Sequence, residues 1–431
     1  MTSDAVWQAV LTGTDAARAR DIIDGIAVAL SADIRPQVAG DEAAITDGLP
    51  GWALFFASLH REYPHRGHGE TAGRLLDAAV DESVAIAGSQ RLFGGITGLA
   101  WVIQHLVPIA RPEYTAALDE IDAAMRTGLE ARPGTTEFDL ISGLVGLGVF
   151  ALERASAQVA RDSLERLVVW LDASAERTPQ GFSWRSPPQA LHTSAGAKRR
   201  SGCQYAGVAH GTAGVVGLLA GLHRLGISPD LTCRLLEGAV DWVLAQELPG
   251  NLALFPNQVG PDNPRPPSRS AWCTGGPGIS VMLWRAGQAA GKAAWQTRAV
   301  TLARAAARRP LAEMGVKDAC LCHGAAGLGQ LYARWFNATG DEFFRDEAAR
   351  WFRRTMEFHR PGEGVAGYAA TSGPHSRQEA APGLLFGAAG VGLALLAATS
   401  EITPEWDRVF LMSDPAPACW QPAIRRIPPG S

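Results

Sequence analysis

Seven copies of one small motif, Gly-x-x-Gly, run through this chain and constrain its fold more than any other feature. The pairs are Gly48/Gly51, Gly95/Gly98, Gly143/Gly146, Gly211/Gly214, Gly275/Gly278, Gly324/Gly327 and Gly387/Gly390. The steps between first glycines are 47, 48, 68, 64, 49 and 63 residues. A step of about 48 residues is one helical hairpin with its loops. Each pair opens a short apolar stretch rich in Gly and Ala, such as GVVGLLAGL at 214–222. Longer amphipathic segments lie between, at 70–88, 114–132 and 341–360. In the last of these, Phe344, Ala348, Trp351, Phe352 and Met356 recur at helical spacing with Arg and Glu between them. The amphipathic segments read as outer helices with one wet face. The small apolar segments read as inner helices packed tightly on their neighbours. Inner segments are apolar at both ends of the array, with no polar capping repeat, so the ring should close. The expected fold is all-α: an α/α toroid of seven inner and seven outer helices, a single unit over 1–431.

Length alone would suggest two or three domains for 431 residues, and the repeat overrides that expectation. A net charge of -4 gives no electrostatic case for nucleic acid or an anionic membrane. No apolar run approaches the ~18 residues of a membrane span. The N-terminus MTSDAVWQAV has an early acid and no basic region, so no signal peptide is read there. Six cysteines in so long a chain are not a disulfide framework. The expected location is a reducing cytoplasm, where clustered cysteines point to metal or catalysis.

Three steps are longer than the rest: 143 to 211, 211 to 275 and 324 to 387. The first two carry Pro-, Gly- and Ser-rich insertions at 178–207 and 249–270. Both precede a motif-bearing turn, so they are expected to form a small extension over the mouth of the ring. Lys198, Arg199 and Arg200 in the first insertion could attract an acidic peptide segment. Residues 401–431, with six prolines, should pack as an irregular tail.

Two consecutive copies carry cysteine at one offset. Cys273 and Cys322 each lie two residues before their first glycine, and His210 and His323 each lie one residue before theirs. Two thiolates and an imidazole, Cys273, Cys322 and His323, are a three-ligand set for Zn2+ with a fourth position open. Soft sulfur donors disfavour Mg2+ and Ca2+. Ordinary buried cysteines are the competing reading, which the repeated offset weakens. Cys320 should turn away, and Cys203, Cys233 and Cys419 have no partner motif. His210 is either a fourth ligand or a histidine facing the ion across the lumen, free to move a proton. The other eight histidines lack such a position. Asp139, in an apolar stretch before Gly143, should have a partner if buried, and a capping role is the alternative. Arg269, near Cys273, is a candidate charge or a solvated loop residue. Asp47 reads as a cap.

At these residues the chain resembles the lanthipeptide cyclase family, the LanC-like proteins. The matching strings are FDLISGLVGLG, VAHGTAGVVGLL, SRSAWCTGGPG and LCHGAAGLG, in order, together with all seven glycine motifs. The resemblance implies a toroid with a catalytic zinc held by Cys273, Cys322 and His323. It implies that His210, Asp139 and Arg269 form an acid–base and charge-stabilising shell. It implies addition of peptide cysteine thiols to dehydroalanine or dehydrobutyrine, giving lanthionine or methyllanthionine rings. The substrate would be a dehydrated precursor peptide supplied by a separate dehydratase, since no dehydratase domain fits before residue 40. Thr274 departs from the tyrosine the family usually carries there. A rival expectation is a LanC-like adaptor that holds zinc and a thiol such as glutathione without cyclising anything. A toroidal glycosidase or terpene cyclase would need paired lumen carboxylates or an Asp-rich motif, and neither is found.

Overall fold

The computed structural model describes residues 6–32, 42–107, 109–130, 137–186, 202–260, 265–372 and 377–414. Lys198, Arg199 and Arg200 lie outside the described residues, as does Cys419.

Among the described residues, seven inner helices each begin directly after a first glycine of the motif. They are α2 (Leu49–Glu62), α4 (Ile96–His105), α6 (Leu144–Glu153), α8 (Thr212–Arg224), α10 (Gly276–Ala289), α12 (Ala325–Thr339) and α14 (Ala388–Thr399). Seven outer helices alternate with them: α1 (Gly13–Ala32), α3 (His68–Asp81), α5 (Pro112–Glu130), α7 (Gln158–Ser174), α9 (Pro229–Ala245), α11 (Ala293–Ala307) and α13 (Glu342–Glu357). Each inner helix touches the next, and α14 touches α2, so the inner ring closes. The first outer helix closes the outer ring beside the last inner one. Val10 and Leu11 N–H donate to the Ala398 carbonyl, and Trp7 Nε1 donates to that of Ala397. This is the α/α toroid.

The reason for the glycines is space. Each first glycine is the N-cap of its inner helix. The chain curls back over it so closely that a Cβ on Gly95, Gly143 or Gly211 would collide with the carbonyl six residues earlier. The second glycines meet the same obstacle; a Cβ on Gly327 would run into the Leu321 carbonyl. Gly275 also needs a positive φ of 88°. Gly327→Ala should therefore destabilise the protein by about 1–3 kcal/mol or more, the scale of overpacking a rigid site. Thermal unfolding checks this, and an unchanged Tm would mean the turn can relax.

The turns are themselves joined into a ring. Phe93 N donates to Ile141 O (3.3 Å), Leu140 N to Ala209 O (3.2 Å), and Ala209 N to Cys273 O (3.1 Å). Cys273 N then donates to Cys322 O (3.3 Å), Cys322 N to Leu385 O (3.1 Å), and Leu385 N to Thr46 O (3.0 Å). The Thr46 hydroxyl completes the circle on the Phe93 carbonyl. All seven glycine turns thus lie at one end of the toroid.

The described part of the first insertion is a hairpin, β1 (Glu176–Thr178) with β2 (Gly181–Ser183). It leans on outer helix α9, where Phe182 fits against Gly238. Gln204 pairs with Val259, which ties the two insertions together. The third long step contains a second hairpin, β3 (Ala369–Ser372) with β4 (Arg377–Ala380). No helix among the described residues is long and apolar enough to cross a membrane.

Residues 401–431 were expected to pack as an irregular tail; of these, 401–414 are described, and they include an ordered element. A short 3-10 helix, Glu405–Phe410, enters the lumen, with Trp406, Val409, Phe410, Leu411 and Met412 buried. Asp407, fully buried, receives Gln330 Nε2 and Arg334 Nε at 2.7 Å each. Arg285 Nη1 from α10 donates to Leu411 O (2.8 Å), and Arg408 reaches Glu153 at the end of α6 (3.1 Å). The tip goes deep: Phe410 packs edge-on against Trp272 at 4.9 Å, and its carbonyl accepts Trp272 Nε1 at 2.9 Å. A chain that buries its own segment in the lumen fills space that inner helices alone leave open.

Candidate active site

The ring of turns sorts the site residues by depth. Two residues before each first glycine stand Thr46, Phe93, Ile141, Ala209, Cys273, Cys322 and Leu385, mostly buried and linked by the bonds described above. One residue later stand Asp47, Gly94, Ser142, His210, Thr274, His323 and Phe386, and each of these is partly exposed. The repeat therefore presents one residue per turn to solvent at a single level. Two of the seven are histidines.

Cys273, Cys322 and His323 come together, with one sulfur or ring nitrogen from each lying within 4.8 Å of the others. Their turns are neighbours in the ring, which explains how residues about 50 positions apart in sequence meet. Cys322 is buried, while Cys273 and His323 are partly exposed, so the group reaches solvent on one side. A hydrogen bond from Cys322 is the main cause holding the Cys273 thiol well below the usual range, with His323 adding to it. The same contact pushes Cys322 up. Burial works against charge on His323, yet the sulfurs of Cys320 and Cys273 raise it to about 11. Two sulfurs and an imidazole nitrogen packed this closely are a donor set for one divalent cation that tolerates soft ligands, which would bind as they lose their protons. With no carboxylate in the trio, zinc fits and Mg2+ or Ca2+ does not.

His210 does not join that group of donors. It also does not face the cysteines across the lumen, as the sequence suggested. It sits on the turn next to that of Cys273, because Ala209 and Cys273 pair through their backbones. Its Nδ1 lies 2.7 Å from Asp139 Oδ2, with the carboxylate 1% exposed and the imidazole 30% exposed. Asp139 Oδ1 also accepts the Ser142 N–H at 2.8 Å. Asp139 thus has the partner expected of a buried carboxylate, and it braces the turn before α6 rather than capping the helix, whose N-cap is Gly143 with no side-chain cap hydrogen bond. Arg269 is exposed, and its charge reaches both cysteine thiols and lowers them. Thr274 is partly exposed at the level of the two histidines.

Sequence reasoning missed three parts of the site. Phe386 packs on His323 with ring centres 5.8 Å apart, and its position one residue before Gly387 was the available signal. The floor of Trp272, Phe93 and Phe410 depends on the C-terminal segment and had no local signal. Cys320 forms a second group with Asp318 and His323.

Residues 41–411 match the family model described as lanthionine synthetase C-like protein. Nisin biosynthesis protein NisC of Lactococcus lactis subsp. lactis is 24% identical over 339 residues, covering 71% of this chain and 77% of that protein. The solved structure of nisin cyclase aligns with a TM-score of 0.71 at 21% identity, over 91% of this chain and 97% of its own. At that identity the structural likeness speaks for the fold.

Proposed function

The chain belongs to the lanthionine synthetase C-like family, and from that premise we propose that it is a zinc-dependent cyclase. It would add cysteine thiols of a dehydrated peptide to dehydroalanine or dehydrobutyrine, closing thioether rings. One observation carries the proposal: a Cys273–Cys322–His323 donor group and an Asp139-braced His210 lie on successive turns of one ring, with His210, Cys273 and His323 each partly exposed. A relative named as a nisin biosynthesis protein supports the peptide substrate.

Cys273, Cys322 and His323 would hold the zinc, which when bound supplies a Lewis acid that lowers the pKa of the substrate thiol. Arg269 meets the negative charge that develops on the amide oxygen as sulfur adds to the β-carbon. Its guanidinium makes no ion pair or hydrogen bond among the described residues, so no protein acid competes for it. Asp139 holds His210 through Nδ1, which makes Nε2 the atom that delivers a proton to the α-carbon. The addition is redox-neutral: sulfur loses a proton, carbon gains one, and no group leaves. Phe386 and the Trp272 floor keep the site apolar below and beside the reacting sulfur. The insertions at 178–207 and 249–270 would guide the peptide, and a separate dehydratase would supply it.

Incubation of the purified protein with a dehydrated precursor peptide tests this. Free thiols, counted by alkylation and mass spectrometry, should disappear while the peptide mass stays constant. An adaptor that only binds a thiol such as glutathione would leave the count at the uncatalysed rate.

A further inference from the structure

The second donor group, Asp318, Cys320 and His323, plays no part in the chemistry above, yet it shares a residue with it. Asp318 and Cys320 are 3% and 2% exposed. Buried polar groups without a task are costly, so their partners are informative. Asp318 Oδ1 accepts the Cys320 N–H at 3.1 Å, and Oδ2 accepts the Thr371 N–H from β3 at 2.9 Å. The carboxylate thereby pins the start of the Cys-Leu-Cys-His turn to the neighbouring hairpin. The His323 backbone N–H points at Cys320 Sγ, 3.5 Å away. The His323 ring belongs to both donor groups, with a nitrogen within 4.8 Å of the Cys273 sulfur in one and of the Cys320 sulfur in the other. Its imidazole is therefore shared by two sulfurs, one inside the donor pair and one outside it.

We propose that Cys320 is the positioning residue of the metal centre, its sulfur accepting the ring N–H of His323 on the side away from Cys273. This rests on the zinc reading given above. An imidazole can present only one nitrogen to an ion, and the hydrogen bond at the other nitrogen sets which one and fixes the ring plane. A carboxylate or carbonyl commonly fills that role. Here the nearest carboxylate, Asp318, is engaged by two backbone N–H groups, and sulfur takes its place. Phe386 packs against the imidazole at 5.8 Å and limits how far the ring can swing. Cys320 is not a third sulfur ligand, because it does not join the Cys273–Cys322–His323 group.

The test compares wild type, Cys320→Ala, Cys320→Ser and a distant control, Cys233→Ala on α9. Zinc affinity is read by competition with a chelator, and the Co2+-loaded proteins give absorption spectra. Cys320→Ala should bind one zinc with an affinity lowered about 10–100-fold, the usual effect of losing such a partner. Its sulfur-to-cobalt charge-transfer band should keep full intensity, since both ligating sulfurs remain. Cys320→Ser should recover most of the affinity, and Cys233→Ala should match wild type. Wild-type affinity in Cys320→Ala would overturn the proposal. A charge-transfer band reduced by about a third would overturn it differently, by making Cys320 a ligand. If the wild-type protein takes up neither zinc nor cobalt, the zinc reading itself fails.

Discussion

His210→Ala keeps its zinc and loses most of its cyclisation rate, roughly 10²–10⁴-fold. The metal stays because His210 is outside the group formed by Cys273, Cys322 and His323. The rate falls because sulfur addition leaves a carbanion equivalent at the α-carbon that needs a positioned acid. The imidazole is suited to that task, with its Nδ1 on the buried Asp139 carboxylate and 30% of the ring open to the mouth. Asp139→Asn should show a smaller loss, since it acts through His210. Metal analysis and single-turnover assays on one preparation decide the matter. A zinc-free His210→Ala protein would make the histidine a fourth ligand and the site a closed, structural one.

Removing a sulfur should be more severe. Cys322→Ala and Cys273→Ala should each lose stoichiometric zinc and all measurable cyclisation. Three protein donors are the minimum for a catalytic zinc site, and two remaining donors hold the ion far too weakly. Cys322 is the more instructive position. It is buried, and its backbone N–H and carbonyl both belong to the ring of turns, donating to Leu385 and accepting from Cys273. Alanine preserves those backbone bonds, so the fold should survive while the metal is lost. Full zinc occupancy in either mutant, measured by elemental analysis after gel filtration, would show that the ligands lie elsewhere.

The ring architecture and the metal group were both legible in the linear chain, for the same physical reason. A seven-fold repeat places equivalent residues at equivalent heights, so an offset from a glycine is a coordinate in space. Cys273 and Cys322 share one offset and His210 and His323 another, and the structure puts each pair at one level. The glycines announced themselves because no other residue fits where the chain doubles back on a helix start. The same logic extended to Phe386 would have found the ring packed on His323.

Angular position around the ring was a matter for the tertiary structure. An offset gives height but not neighbours, so His210 was expected across the lumen and is instead beside Cys273. Which buried carboxylate braces which histidine followed from that, as did the role of Cys320. The C-terminal segment lay further beyond reach. Glu405–Phe410 has no helical periodicity and no motif, and its position depends on pairings such as Asp407 with Arg334 and Arg285 with the Leu411 carbonyl, 73 and 126 residues apart. Local patterns in a sequence report forces between near neighbours, and they determined the helices, the glycine turns and the height of each candidate residue. The filling of the lumen came from forces between distant residues, whose geometry exists only once the ring has closed.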